Sequence, residues 1–189
     1  GYDDVVVGAM GADGGNANGA AYLIYGPVFG STSLASADAK ITGEAVADYA
    51  GGSVSIVDDM DGDGRDEVLV GAKFEDDAAG NAGAAYILHG SVWGTVGLGT
   101  ADAKLTGEAP DSYAGSAVSG AGDVDGDGLG DILVGASGDS SQGFISGAVY
   151  LLTGSLSGTQ SLASATVRWW CLPSLRKTTL SSSSMIWPK

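Results

Sequence analysis

"DVDGDGLGDILVGA", residues 123–136, sets four aspartates within nine positions and then runs without a break into aliphatic residues. Carboxylates this close repel one another, and a hard cation that takes oxygen ligands makes such crowding tolerable. The pattern also occurs earlier, as "DMDGDGRDEVLVGA" at residues 59–72. Asp59, Asp61, Asp63 and Glu67 fall at positions 1, 3, 5 and 9 of the first stretch, and Asp123, Asp125, Asp127 and Asp131 at the same positions of the second. Glycines at positions 4 and 6 permit the left-handed backbone that wraps alternate side chains around a point. Position 7, Arg65 or Leu129, would offer a backbone carbonyl, which leaves its side chain free to vary. Four carboxylates, one carbonyl and water suit the six to eight oxygen positions of Ca²⁺, whereas Mg²⁺ demands a stricter octahedron. With no thiolate or histidine inside either loop, zinc is not expected. The EF-hand loop begins alike but closes with a glutamate at position 12, where this chain has Val70 and Val134 inside aliphatic runs. A merely hydrophilic turn has no need of acids at four fixed positions twice over.

The repetition extends well beyond these loops. "VVVGA" (5–9) returns as "VLVGA" (68–72) and "ILVGA" (132–136), at separations of 63 and 64 residues. "AYLIYG" (21–26) returns as "AYILHG" (85–90) and "VYLLTG" (149–154), and "ADAKITGEAVADYAGGSVS" (37–55) as "ADAKLTGEAPDSYAGSAVS" (101–119). Each unit alternates short apolar runs with Gly/Asp/Asn turns and holds nothing long enough at helical period to form a helix. The second unit is expected to place strands near 53–57, 67–72, 84–89 and 103–106. A four-stranded antiparallel sheet of this size cannot bury both faces alone, so successive units must stack, most economically around an axis as propeller blades. The first unit retains only Asp4 at the position of Asp131, with Asp3 beside it.

Composition agrees with an all-β reading. The 189 residues include 33 glycines and four prolines, with 44% apolar and 16% charged residues. The net charge of −15 makes nucleic acid and anionic membrane poor partners. No apolar run reaches the roughly 18 residues of a spanning helix. Residues 1–165 contain no cysteine, which excludes a disulfide scaffold. After "SLASA" (161–165) the repeat calls for "DAKITGE", but the chain continues "TVRWWCLPSLRKTTLSSSSMIWPK". Residues 166–189 are therefore expected to be an aberrant or non-native tail, and 1–165 the repeat region.

The "YAGGSVS" and "YAGSAVS" segments, the acidic loops and the three "VGA" segments together resemble FG-GAP repeats, the blades of integrin α-subunit propellers and of many bacterial secreted or surface proteins. The resemblance implies a β-propeller, here an incomplete one of about three repeats, with Ca²⁺ in the loop between two strands of a blade. It implies two complete calcium sites, an extracellular or cell-surface setting, further blades of the same parent chain, and a protein or glycan ligand. The function expected is a calcium-stabilised adhesion or binding module without catalysis. An accessory propeller of a larger secreted enzyme is the alternative.

Other conspicuous residues carry plainer expectations. Glu75, Asp76 and Asp77 read as a solvated loop, and His89, which stands where the other units have Tyr25 and Thr153, is not expected to be catalytic. Tyr22, Tyr86, Tyr150, Tyr49 and Tyr113 recur with the repeat and read as packing residues.

Overall fold

The computed structural model describes residues 2–12, 16–141 and 146–170. Short aliphatic runs between turn residues become strands, and no α-helix occurs among the described residues. The first unit supplies β1 (Val5–Ala9), β2 (Ala20–Ile24) and β3 (Ala39–Thr42). The second supplies β4 (Ser53–Val57), β5 (Glu67–Ala72), β6 (Ala84–Leu88), β7 (Gly94–Gly97) and β8 (Ala103–Thr106). The third supplies β9 (Ala114–Gly122), β10 (Asp131–Ala136), β11 (Ala148–Leu152), β12 (Gly158–Ser161) and β13 (Val167–Trp170).

Within each unit the sheet is an antiparallel meander: β4–β5–β6–β8 in the second unit matches the four runs expected there. The sheets also gain an outer strand that the repeat did not suggest. β7 crosses to the first sheet and pairs parallel with β3, and β12 crosses to the second and pairs parallel with β8. A single 3-10 turn, Leu98–Thr100 or Leu162–Ser164, then returns the chain to its own sheet. The β3 edge of the first sheet and the β8 edge of the second are thereby covered by the following unit, which protects them from pairing elsewhere. "GTVG" and "GTQS" carry too little β-branched or alternating character to read as strands.

The sheets stack in chain order. Leu23, Ile41 and Ala50 of the first meet Val68, Val70 and Tyr86 of the second in one core. Leu69, Ile87 and Leu105 on the opposite face of the second meet Ile132, Val134 and Tyr150 of the third in another. The middle sheet is thus covered on both faces, and every residue of β5 and β6 is buried. This explains why those strands read as continuous apolar runs rather than as alternation. The architecture is that of propeller blades in an incomplete ring.

The sheet continues past residue 165. Val167–Trp170 pairs antiparallel with β11 and takes the place that β3 and β8 hold in their own sheets. Sequence dissimilarity alone does not prevent this, because the ladder needs only backbone groups and a β-prone run such as "VRWW". Arg168 takes the place of Lys40 and Lys104. Residues 171–189, including Cys171, lie outside the described residues.

Candidate metal centre

Both acidic loops join the first two strands of their unit, β4 to β5 and β9 to β10. Asp59 organises its loop by accepting from the N–H groups of Gly62 at 2.7 Å, Asp63 at 3.1 Å and Gly64 at 2.9 Å. Asp123 repeats this with Gly126 at 2.6 Å, Asp127 at 3.0 Å and Gly128 at 2.9 Å. The glycines at positions 4 and 6 have φ of +84° and +82° in one loop and +82° and +90° in the other, the left-handed turns read from the sequence. Asp61 and Asp125 each accept from the N–H two residues on, and Asp63 and Asp127 accept from those of Arg65 and Leu129.

At position 9 the two loops diverge. Glu67, fully buried at the start of β5, accepts the Met60 N–H at 2.6 Å with Oε2, while its Oε1 is buried without a hydrogen-bond partner. Burial pushes its carboxyl up to about 7, against the pull of the Met60 N–H. One oxygen each from Asp59, Asp61, Asp63 and Glu67 lies within 4.8 Å of the others, so the four expected carboxylates converge. In the third unit only Asp123, Asp125 and Asp127 converge in this way. Asp131 is buried but one methylene shorter, and N–H groups occupy both its oxygens, Val124 at 2.7 Å and Gly154 at 3.3 Å. The expected ligand set of the second loop is thus brought together in three of its four acids. Asp4 likewise accepts the Gly26 N–H at 2.9 Å and joins no cluster among the described residues.

An all-oxygen donor set with an orphaned, buried carboxylate oxygen suits a hard divalent ion at loop 59–67. The loop at 123–131 offers three converging acids and a more open shell. The two loops touch, because the Gly130 N–H donates to the Asp59 carbonyl at 2.8 Å.

The family model for the FG-GAP repeat matches residues 50–88 and 114–152. These segments are FG-GAP repeats. Each match runs from the "YAG" glycine region through the acidic loop and the "VGA" strand to the end of β6 or β11, so the loops lie inside the matched units.

His89, for which the repeat suggested no role, stands beside the first loop. Continuing the Val68↔Leu88 register by one residue sets His89 opposite Glu67, and its Nδ1 stands 2.7 Å from Asp61 Oδ2. That hydrogen bond, with the Asp63 N–H, holds the Asp61 carboxyl below its ordinary range. The β5–β6 register was the signal available, since two antiparallel strands bring distant residues face to face. Of the solvated loop expected at residues 75–77, Asp76 and Asp77 are exposed and Glu75 is not. Glu75 is buried, with Lys104 Nζ at 2.9 Å. Asp139, its counterpart in the third unit, is buried beside Arg168 at 2.6 Å.

Beside loop 59–67, between the first two sheets, lies a cavity of 390 Å³ lined by Asp4, Tyr25, Arg65, Asp66, Glu67 and Trp93, among others. The Tyr25 and Trp93 rings lie 4.6 Å apart, and Trp93 is largely exposed.

Proposed function

We infer that this FG-GAP chain is part of a calcium-binding, extracellular β-propeller module that binds a protein or glycan, with calcium in a structural role. The observation that carries the metal reading is Glu67 Oε1, a buried carboxylate oxygen without a partner, in a group of four converging acids. A divalent ion there would neutralise charge that otherwise repels, and would fix the β4–β5 hairpin that bears one wall of the neighbouring cavity. The aromatic pair Tyr25–Trp93, flanked by Arg65 and Asp66, supports the binding role, since exposed aromatic faces with nearby polar groups suit sugars and peptide side chains alike. The reading assigns the chain no reaction of its own.

Further blades are expected to pack on the third sheet. Ala85, Ala103 and Leu105 of the second sheet are buried against the third, whereas Val149, Val167 and Trp169, one repeat later, are exposed. These residues form the face on which another blade of a parent chain would continue the stack. No helix among the described residues is long and apolar enough to cross a membrane.

Thermal melting with Ca²⁺ and with chelator tests the metal role. Calcium at 10 to 100 times its dissociation constant is expected to stabilise the protein by ~1.4 to 2.7 kcal/mol per site. Equal melting temperatures in the two conditions would remove the calcium reading. Calorimetric titration is expected to resolve two classes of site, the tighter at loop 59–67 because it gathers one more carboxylate. Asp61→Ala should delete the tighter class and Asp125→Ala the weaker; retention of full stoichiometry in both variants would overturn the ligand assignment.

A further inference from the structure

The two metal loops differ in one donor that neither composition nor loop spacing brings into view. His89 is the single histidine of the chain, and its position is held by Thr153 in the third unit and Tyr25 in the first. One ligand atom each from Asp61, Glu67 and His89 lies within 4.8 Å of the other two. Two buried polar atoms in this group lack a protein partner: Glu67 Oε1, on a side chain fully withdrawn from solvent, and His89 Nε2. Leaving a buried carboxylate oxygen unpaired is costly, and a cation bound at Glu67 Oε1 would remove that cost.

We propose that Asp61, Glu67 and His89 form a mixed nitrogen–oxygen site for a borderline first-row divalent ion of the Zn²⁺ class, present in the second unit alone. The proposal rests on the reading that loop 59–67 holds a cation, but not on that cation being calcium. Calcium takes oxygen ligands and gains little from an imidazole, whereas zinc binds histidine nitrogen and carboxylate oxygen together. The same loop therefore accepts either ion, and the borderline ion displaces calcium there. The loop at 123–131 has no nitrogen donor in its converging group and stays calcium-selective. His89 follows directly on β6, its backbone N–H donates to Asp102 Oδ2 at 2.8 Å, and its imidazole Nδ1 lies 2.7 Å from Asp61 Oδ2, so the residue is anchored beside the loop.

The test uses the protein with Cys171→Ser, so that the one thiol does not compete for zinc. Zn²⁺ is titrated by calorimetry in the presence of Ca²⁺, while the ¹⁵N resonances of the one imidazole are followed by NMR. One equivalent of Zn²⁺ is expected to bind, move the resonance of the coordinating nitrogen and release one of two bound Ca²⁺. His89→Thr, which installs the third unit's residue, is expected to lose more than the roughly 10–100-fold in Zn²⁺ affinity that removing a ligand's hydrogen-bond partner costs. That variant should keep the calcium-dependent melting increment that comes from the loop at 123–131, which shows that it folds. Zinc binding with unmoved imidazole resonances, or undiminished zinc affinity in His89→Thr, overturns the proposal. Calcium binding without any zinc binding overturns it while leaving the calcium reading intact, and binding of neither ion overturns both.

Discussion

Gly71→Ala is expected to destabilise the protein by about 3 kcal/mol or more, at the upper end of what overpacking costs, whereas Gly135→Ala should cost under about 1 kcal/mol. Gly71 is the glycine of "VLVGA", and a Cβ built on it would drive into the carbonyl oxygen of Gly115, the glycine of "YAGSA" in the next sheet, and into Ser53 Oγ. Gly8 and Gly51 repeat this encounter between the first and second sheets. The main obstacle is backbone, so it cannot turn aside as a side chain would. Gly115 is further constrained by φ of +75°, and its carbonyl also accepts from Ser53 Oγ at 2.8 Å. At Gly135 the nearest atoms a Cβ would meet are Ala117 Cβ and the Ala117 carbonyl oxygen, both at 3.4 Å and so without overlap. Chemical denaturation of the two variants checks the difference, which is large beside a typical domain stability of about 5–15 kcal/mol. Equal midpoints for both would mean that the approach of one backbone to the next does not hold the sheets together.

This contact gives the repeated motif a physical meaning that letters alone do not carry. One glycine in the "VGA" strand of a unit and one at or just before the start of the next unit's first strand let two sheets approach at the backbone, and the aliphatic residues around them close the cores. The strand pattern, the stacking and the turn geometry of the acidic loops were legible because each is a local or periodic property. Gly62, Gly64, Gly126 and Gly128 adopt the left-handed conformation that their spacing required. What escaped the sequence depends on where strands place side chains across the fold. His89 meets Asp61 only through the β5–β6 register, and Glu75 is buried only because Lys104 reaches it from β8. Asp131 was visible as one methylene shorter than Glu67, but the consequence of that difference required the position of the Gly154 N–H. The parallel strands β7 and β12 were hidden because their pairing is with a neighbouring unit and their residues show no alternation.

The second large effect is expected at Lys104, where Lys104→Met should cost about 3–5 kcal/mol, the range for removing one partner of a buried ion pair. Lys104 Nζ lies 2.8 Å from Glu44 Oε2, 2.9 Å from Glu75 Oε1 and 2.6 Å from Asp77 Oδ2. Burial alone would pull its ammonium down, but hydrogen bonds to Asp77, Glu44 and Glu75 hold it above the ordinary lysine range. Asp77 is exposed and adds little, so most of the effect comes from Glu75, which the substitution would leave buried without a cation. The third unit solves the same problem with the lengths exchanged: a longer base, Arg168, reaches a shorter acid, Asp139, at 2.6 Å, and Glu108 takes the place of Glu44 at 2.8 Å. The combined change Lys104→Arg with Glu75→Asp is therefore expected to recover most of the stability, and Lys104→Met with Glu75→Gln to recover part of it by removing the stranded charge. Urea unfolding of the four proteins, wild type included, checks this. A Lys104→Met midpoint close to wild type would show that Glu75 is content without its cation, and that the basic residue recurring at this position in each unit serves no purpose in joining one blade to the next.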